Sequence, residues 1–143
     1  MIVLDTNVVS ELIRLKPSPQ VIQWIASQPS LLLCTTSITQ AEILYGVQTL
    51  AKGRRREALE KVLSAIFEED FQGRVLAFDS GCAPLFAEIA AARKALGRPI
   101  SQFDAQIAAI ARRNKAALAT RNIADFAGCG LKLINPWESA QTS

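Results

Sequence analysis

The chain has 143 residues, half of them hydrophobic and a fifth charged, which is enough for one core-bearing domain and too apolar for a disordered tail. It contains no histidine, which excludes a histidine triad, an HExxH zinc site and a histidine general base; carboxylates, hydroxyls, amides, Lys, Arg and a borrowed cation remain. Sixteen basic against 13 acidic residues give a net charge of +3, a mild bias towards a polyanionic partner.

Ile2, Val3 and Leu4 form a short apolar run that predicts a strand buried on both faces of a parallel sheet. Asp5 ends it at the carboxyl edge, where open α/β sheets bind their ligands. It also interrupts the first apolar run with no basic segment before it, so no signal peptide is expected. Thr6 and Asn7 open an amphipathic helix with Val8, Val9, Leu12 and Ile13 at helical spacing, and Pro17 breaks it. A second short helix spans 18–27, with Val21, Trp24 and Ile25 inward. Residues 31–35 read as a second strand, 36–51 as a helix closed by Gly53, and 54–69 as a charged, half-exposed helix. A third strand at 75–78 leads to a helix capped by Asp79 or Ser80 and closed by Gly97 after Leu96. An alanine-rich helix at 101–114, a fourth strand at 117–120 and a fifth at 131–134 complete the order.

Strands alternating with helices predict a three-layer α/β/α sandwich around a parallel sheet of about five strands, with the first strand central. No repeat or linker divides the chain, so 1–143 is expected to be a single domain. Cys34, Cys82 and Cys129 lack metal-type spacing and read as core thiols. No apolar run approaches the roughly 20 residues of a membrane span, and a cytoplasmic location is the expectation.

Three carboxylates are isolated. Asp5 is the only charge among the first ten residues, Glu42 the only one between Lys16 and Lys52, and Asp104 the only one between Arg98 and Arg112. Asp104 shares a helix face with Ile107, Ala108 and Ala111, and Glu42 shares one with Ile38 and Tyr45. Two readings stand. Ser101-x-x-Asp104 and Thr39-x-x-Glu42 both fit a capping box, and Asp5 fits a helix cap. Alternatively the three acids meet at one sheet edge, where their mutual repulsion calls for a hard divalent cation such as Mg²⁺ or Mn²⁺.

The opening LDTN, Glu42 in TQAEILYG, Asp104 in SQFDAQIAA and the late ATRNIADF followed by INPW resemble a PIN-domain ribonuclease. In that order, and over nearly the whole chain, they most resemble the VapC-type toxins of bacterial toxin–antitoxin pairs, in the FitB-like branch. The resemblance implies that Asp5, Glu42 and Asp104 hold Mg²⁺ or Mn²⁺ and catalyse RNA hydrolysis to 5′-phosphate ends, with the Thr6 and Thr120 hydroxyls lining the site. It also implies a homodimer and a small DNA-binding antitoxin whose tail crosses an apolar groove and brings an arginine to the acids. Many relatives carry an aspartate where this chain has Asn122; Asp125 either substitutes for it or is a surface acid. Arg121, at a strand's carboxyl end, is the best candidate for an RNA contact, ahead of the Arg54, Arg55 and Arg56 cluster. Two rivals remain. One is a receiver-like phosphoacceptor using Asp79 and Thr120, although Thr6 and Asn135 stand where it needs an acid and a lysine. The other is a binding module without catalysis whose acids are caps.

Overall fold

A computed structural model describes residues 1–138. Five strands, β1 (Ile2–Leu4), β2 (Leu33–Thr36), β3 (Val75–Leu76), β4 (Ala117–Ala119) and β5 (Leu133–Ile134), form an all-parallel sheet in the order β3-β2-β1-β4-β5. The expected fold class and the central first strand are both found. Successive side chains of a strand point to opposite faces, and β1 shows the consequence. Val3 enters one core with Cys34, Ile107 and Leu118, while Leu4 enters the other with Val8, Leu33 and Ala119.

Six helices cover those faces: α1 (Thr6–Glu11), α2 (Pro19–Ser27), α3 (Ser37–Gln48), α4 (Arg54–Ala65), α5 (Ala83–Ala95) and α6 (Gln102–Arg113). Helices α5 and α6 bury Ile89, Ile107 and Ile110 on the Val3 side. Helices α1 to α4 bury Val9, Val21, Ile43, Val47 and Leu63 on the Leu4 side. Ala105, Ala108, Ala109 and Ala111 of α6 are all buried; their small side chains let that helix lie close to the sheet and to α5. The three cysteines are free and buried, as expected. Among the described residues no helix is long and apolar enough to cross a membrane.

Several element boundaries differ from expectation; β5, expected over 131–134, holds only Leu133–Ile134, and β4 stops at Ala119. Residues 30–32 make a 3-10 turn, so β2 starts at Leu33 and Leu31 is 81% exposed. Strand β3 has two residues, because Phe78 leaves the ladder and packs edge-on against Phe86 with ring centroids 6.0 Å apart. Helix α5 starts at Ala83, with Cys82 at its cap position and no side-chain cap bond, so neither Asp79 nor Ser80 caps it. The helix expected over 54–69 leaves α geometry after Ala65 and closes with a π turn at Ile66–Asp70.

Arg93 ties the α5 side to the strand ends. It is buried and forms no salt bridge among the described residues. Its Nε donates to the Arg98 carbonyl (2.7 Å), and Nη1 donates to the carbonyls of Asp125 (2.6 Å) and Ala127 (3.1 Å). Those last two belong to and follow the 3-10 turn Ile123–Phe126 that leaves β4. Removing a buried charged donor orphans its acceptors at about 1–3 kcal/mol each. Arg93→Met is therefore expected to destabilise the protein by about 3 kcal/mol or more in urea unfolding, and Arg93→Lys, with no planar fork, to recover only part of the loss.

Candidate active site

The carboxyl ends of β1 and β4, helix α1, the second turn of α3 and the first turn of α6 open onto one cavity of about 460 Å³, lined by Asp5, Thr6, Asn7, Glu42, Asp104 and Asn122 among others. Asp5 follows β1 in extended conformation (φ −68°, ψ 164°), and its backbone N–H donates to the Ala119 carbonyl of β4 (2.9 Å). It is the N-cap of α1: Oδ1 accepts from the Thr6 N–H at 2.8 Å. Its Oδ2 accepts from the Thr120 hydroxyl at 2.8 Å, and that hydroxyl in turn accepts the Asn122 N–H at 3.1 Å. The capping reading of Asp5 thus holds, and the same carboxylate also lines the shared cavity.

Glu42 departs from the capping reading. Thr36 is the N-cap of α3, accepting the Thr39 N–H at 3.1 Å, so Glu42 lies in the second turn and caps nothing. Its Oε1 accepts from the Thr6 hydroxyl at 2.7 Å, and Thr6 Oγ1 lies 3.0 Å from the buried Thr39 Oγ1. With the Thr6 proton given to Glu42, Thr39 is the donor in that second contact. Asp104 is half-buried in the first turn of α6, its N–H capped by Ser101 Oγ at 3.2 Å.

Electrostatics follows from burial. Asp5 is 5% exposed, and its pKa rises from 3.8 to about 6, chiefly through burial. The hydrogen bonds from Thr120 and Thr6 oppose that rise, and the charges of Asp104 and Glu42 add to it. Burial also raises the pKa of Asp104; the Ser101 side chain opposes, the Asp125 charge adds, and Arg93 lowers it. Among the described residues no basic side chain forms a salt bridge with Asp5, Glu42 or Asp104.

Among the same residues no group of three or more His, Cys, Asp or Glu side chains is gathered tightly enough to enclose an ion by itself. The donor set suits a different kind of site. Four carboxylates line the cavity; Glu11 is paired with Arg14, and the other three, with no basic partner among the described residues and no sulfur or imidazole beside them, match a small hard ion that keeps most of its water and takes only one or two protein carboxylates.

Of the other expected residues, Thr6, Thr120 and Asn122 belong to this hydrogen-bonded edge, and Arg121 lines the cavity. Asp125 does not line it; it is exposed, in a neighbouring cavity with Arg93, Pro99 and Asp104. Arg54, Arg55 and Arg56 are also absent from its lining, and Arg56 contacts Gln48 and lies 3.8 Å from Glu60. The receiver-like alternative fails on topology, since that class has the order 2-1-3-4-5, and Asp79 opens onto a separate cavity with Arg113. Sequence reasoning missed Asn7, Thr39, Glu11, Arg14 and Trp137. Of these, Asn7 stood in view inside LDTN, and its Oδ1 accepts the Arg121 N–H at 3.2 Å.

A parallel sheet in this order with acids at its carboxyl edge defines an α/β domain of the metal-nuclease type, and the PIN domain matches residues 2–127. The chain belongs to the PIN-domain family. It is 39% identical over 140 residues to VapC ribonuclease Y4jK of Sinorhizobium fredii, covering 98% of this chain and 100% of that one. It is 35% identical over 137 residues to toxin FitB of Neisseria gonorrhoeae, covering 96% and 99%. The solved structure of FitAB bound to an IR36 DNA fragment superposes with a TM-score of 0.94 at 33% identity, covering 100% of both chains.

The raised Asp5 pKa carries a signed pH dependence. Because the folded value lies above the ordinary one, the stability due to Asp5 is complete below about pH 4 and is lost as pH rises through about 6. A shift of about two units corresponds to at most about 3 kcal/mol. In chelator, urea unfolding of the wild type is expected to weaken between about pH 4 and pH 6, and Asp5→Asn to flatten that decline.

Proposed function

We propose that this chain is a divalent-cation-dependent endoribonuclease acting in the cytoplasm as the toxin of a toxin–antitoxin pair. The observation that carries this reading is Asp5: a buried carboxylate near its own pKa, facing Glu42 and Asp104 across one open cavity with no salt bridge among the described residues. Capping accounts for Asp5 and for the Ser101 end of α6 but not for Glu42. The ribonuclease and toxin names of the similar chains agree with this reading.

Asp5 and Asp104 would hold Mg²⁺ or Mn²⁺, with Glu42 beside them. Bound there, such an ion lowers the pKa of water and offsets negative charge on a phosphodiester. Thr120 fixes the direction of Asp5 by donating to Oδ2, and its own orientation is fixed by the Asn122 N–H. The Thr39–Thr6 hydroxyl relay occupies Glu42 Oε1, leaving Oε2 to orient the attacking water and accept its proton. Attack in line at phosphorus would form the new P–O bond as the P–O3′ bond breaks, and the departing 3′ oxygen would take a proton from solvent, giving a 5′-phosphate and a 3′-hydroxyl.

The proposed partners are RNA, a second copy of the chain and a small DNA-binding antitoxin. A neighbouring apolar cavity formed by Ala41, Tyr45 and Phe103 shares Glu42 with the acidic one. An antitoxin segment seated on the exposed Tyr45 and Phe103 rings would bring a basic side chain to the acids.

Cleavage of single-stranded RNA is expected with Mg²⁺ or Mn²⁺ and should stop with chelator; activity that survives thorough chelation overturns the reading. Asp5→Asn and Asp104→Asn should each lower turnover by about 10²-fold or more. Because Asn122 lines the cavity and Asp125 does not, Asn122→Asp should tighten Mn²⁺ binding in calorimetry, whereas Asp125→Asn should leave it nearly unchanged.

A further inference from the structure

The acidic cavity has a second wall of opposite sign. Arg14 and Arg121 line it alongside Asp5, Glu42 and Asp104, yet neither forms a salt bridge with those acids. Each guanidinium is held by something else. Arg14 Nη1 donates to Glu11 Oε1 at 3.2 Å, and the side chains of Arg14 and Glu11 are 59% and 4% exposed. Glu11 is thus a buried carboxylate at the end of α1, and its second oxygen accepts the Ser18 N–H at 2.6 Å. Burying that charge is unfavourable by several kcal/mol before its partners are counted, and a mostly exposed arginine returns little stability. The arrangement makes better sense as a fixed direction for Arg14.

Arg121 lines the same cavity and is fixed by different partners. Its guanidinium carbon lies 5.1 Å from the Trp137 ring centroid, and Trp137 also lines the cavity. Its backbone is clamped at both ends: the N–H donates to Asn7 Oδ1 at 3.2 Å and the carbonyl accepts from Asn135 Nδ2 at 3.4 Å. The same Asn135 accepts the Trp137 N–H at 2.9 Å, so the ring and the cation above it share one anchor. Two cations from distant parts of the chain therefore stand at one anionic cavity, each restrained by a residue other than Asp5, Glu42 and Asp104.

A polyanion entering that cavity meets three carboxylates that have no salt bridge among the described residues, and an ion bound among them would serve only the phosphate being cut. The neighbouring phosphates need their own positive partners. We propose that Arg14 and Arg121 form a phosphate clamp that grips the RNA backbone on either side of the scissile phosphodiester. Glu11 and Trp137 are positioning residues for the two guanidiniums. The clamp rests on the nuclease reading above and adds to it the residues that hold the substrate in register.

The test is steady-state cleavage of a short single-stranded oligoribonucleotide, together with its binding to the Asp104→Asn protein across a salt series. Arg14→Ala and Arg121→Ala should each raise KM about ten-fold with kcat changed less than about three-fold, and each should reduce the slope of log affinity against log salt by about 0.7. Glu11→Gln keeps an acceptor for Ser18 but loses the ion pair; it should raise KM in the wild type and add nothing in the Arg14→Ala background. A Glu11 that only stabilises the fold would act equally in both. Trp137→Phe should retain the affinity that Trp137→Leu loses. An unchanged KM and salt slope in either arginine variant, with melting temperature preserved, overturns the clamp while leaving the nuclease reading standing. Loss of antitoxin affinity without any change towards RNA also overturns it. A wild type inactive on RNA with every divalent ion tested fails the nuclease reading, and the clamp with it.

Discussion

Asp5 leaves the central strand with its carboxyl group almost sealed from water, and at neutral pH it sits about one unit above its pKa of about 6. The ionised form has to be held against the burial that disfavours it. Two hydrogen bonds do part of this, one from the first amide of α1 and one from Thr120. Neither brings a positive charge, and the two nearest carboxylates that bear on it push the other way. The edge of the sheet is consequently an anionic pocket, while the cores on both faces of β1 supply the stability that tolerates it.

The strand order makes this possible. With β1 flanked by β2 and β4, the segments leaving both neighbours emerge beside Asp5. From β2 come Thr36, Thr39 and then Glu42, whose link to Asp5 runs through Thr6. From β4 come Thr120, Arg121 and Asn122 within three residues. Asp104 arrives differently, from the first turn of α6, the helix whose alanines let it approach the sheet closely. Right-handed crossovers place every helix start after a strand at this one edge, so residues 5, 42 and 120 meet there without a long loop.

The fold class and the three acids were legible from local information, because an isolated carboxylate in an apolar segment has few local ways to be satisfied. Boundaries were less legible. TTSIT offers four hydroxyl side chains in five residues; the bond from the Thr39 N–H marks Thr36 as the cap, and the Thr6–Thr39 contact joins Thr39 to the cavity edge. LLLC reads as strand throughout, yet its first two leucines lie in a turn at the surface. Glu11 was invisible for the opposite reason. With Arg14 three residues on, it resembles any solvent-facing helix pair, and only its burial under the chain at Ser18 sets it apart. The densest basic run, Arg54 to Arg56, drew attention by charge alone, although the start of α4 lies off the cavity lining.

Asn122 gives the balance of the site its particular value. An aspartate there would add a fourth negative charge to a pocket in which Asp104 and Glu42 already raise the pKa of Asp5. It would favour a second cation but also raise the repulsion that incoming phosphates meet before any cation is bound. An amide retains an oxygen for a water or an ion without that charge. Asp125 does not line that cavity: Arg93 donates to its carbonyl, and its carboxylate bears on Asp104 from a neighbouring cavity. With Glu11 and Arg14 counted as a pair, three carboxylates face one arginine, and the cavity lining is two negative charges from neutral. On the nuclease reading proposed above, a single divalent ion would bring that lining to neutrality and remove the repulsion an incoming phosphodiester meets. An aspartate at position 122 would leave one negative charge uncancelled beside the same ion, so on that reading the amide lowers the number of cations needed before a phosphate is attracted.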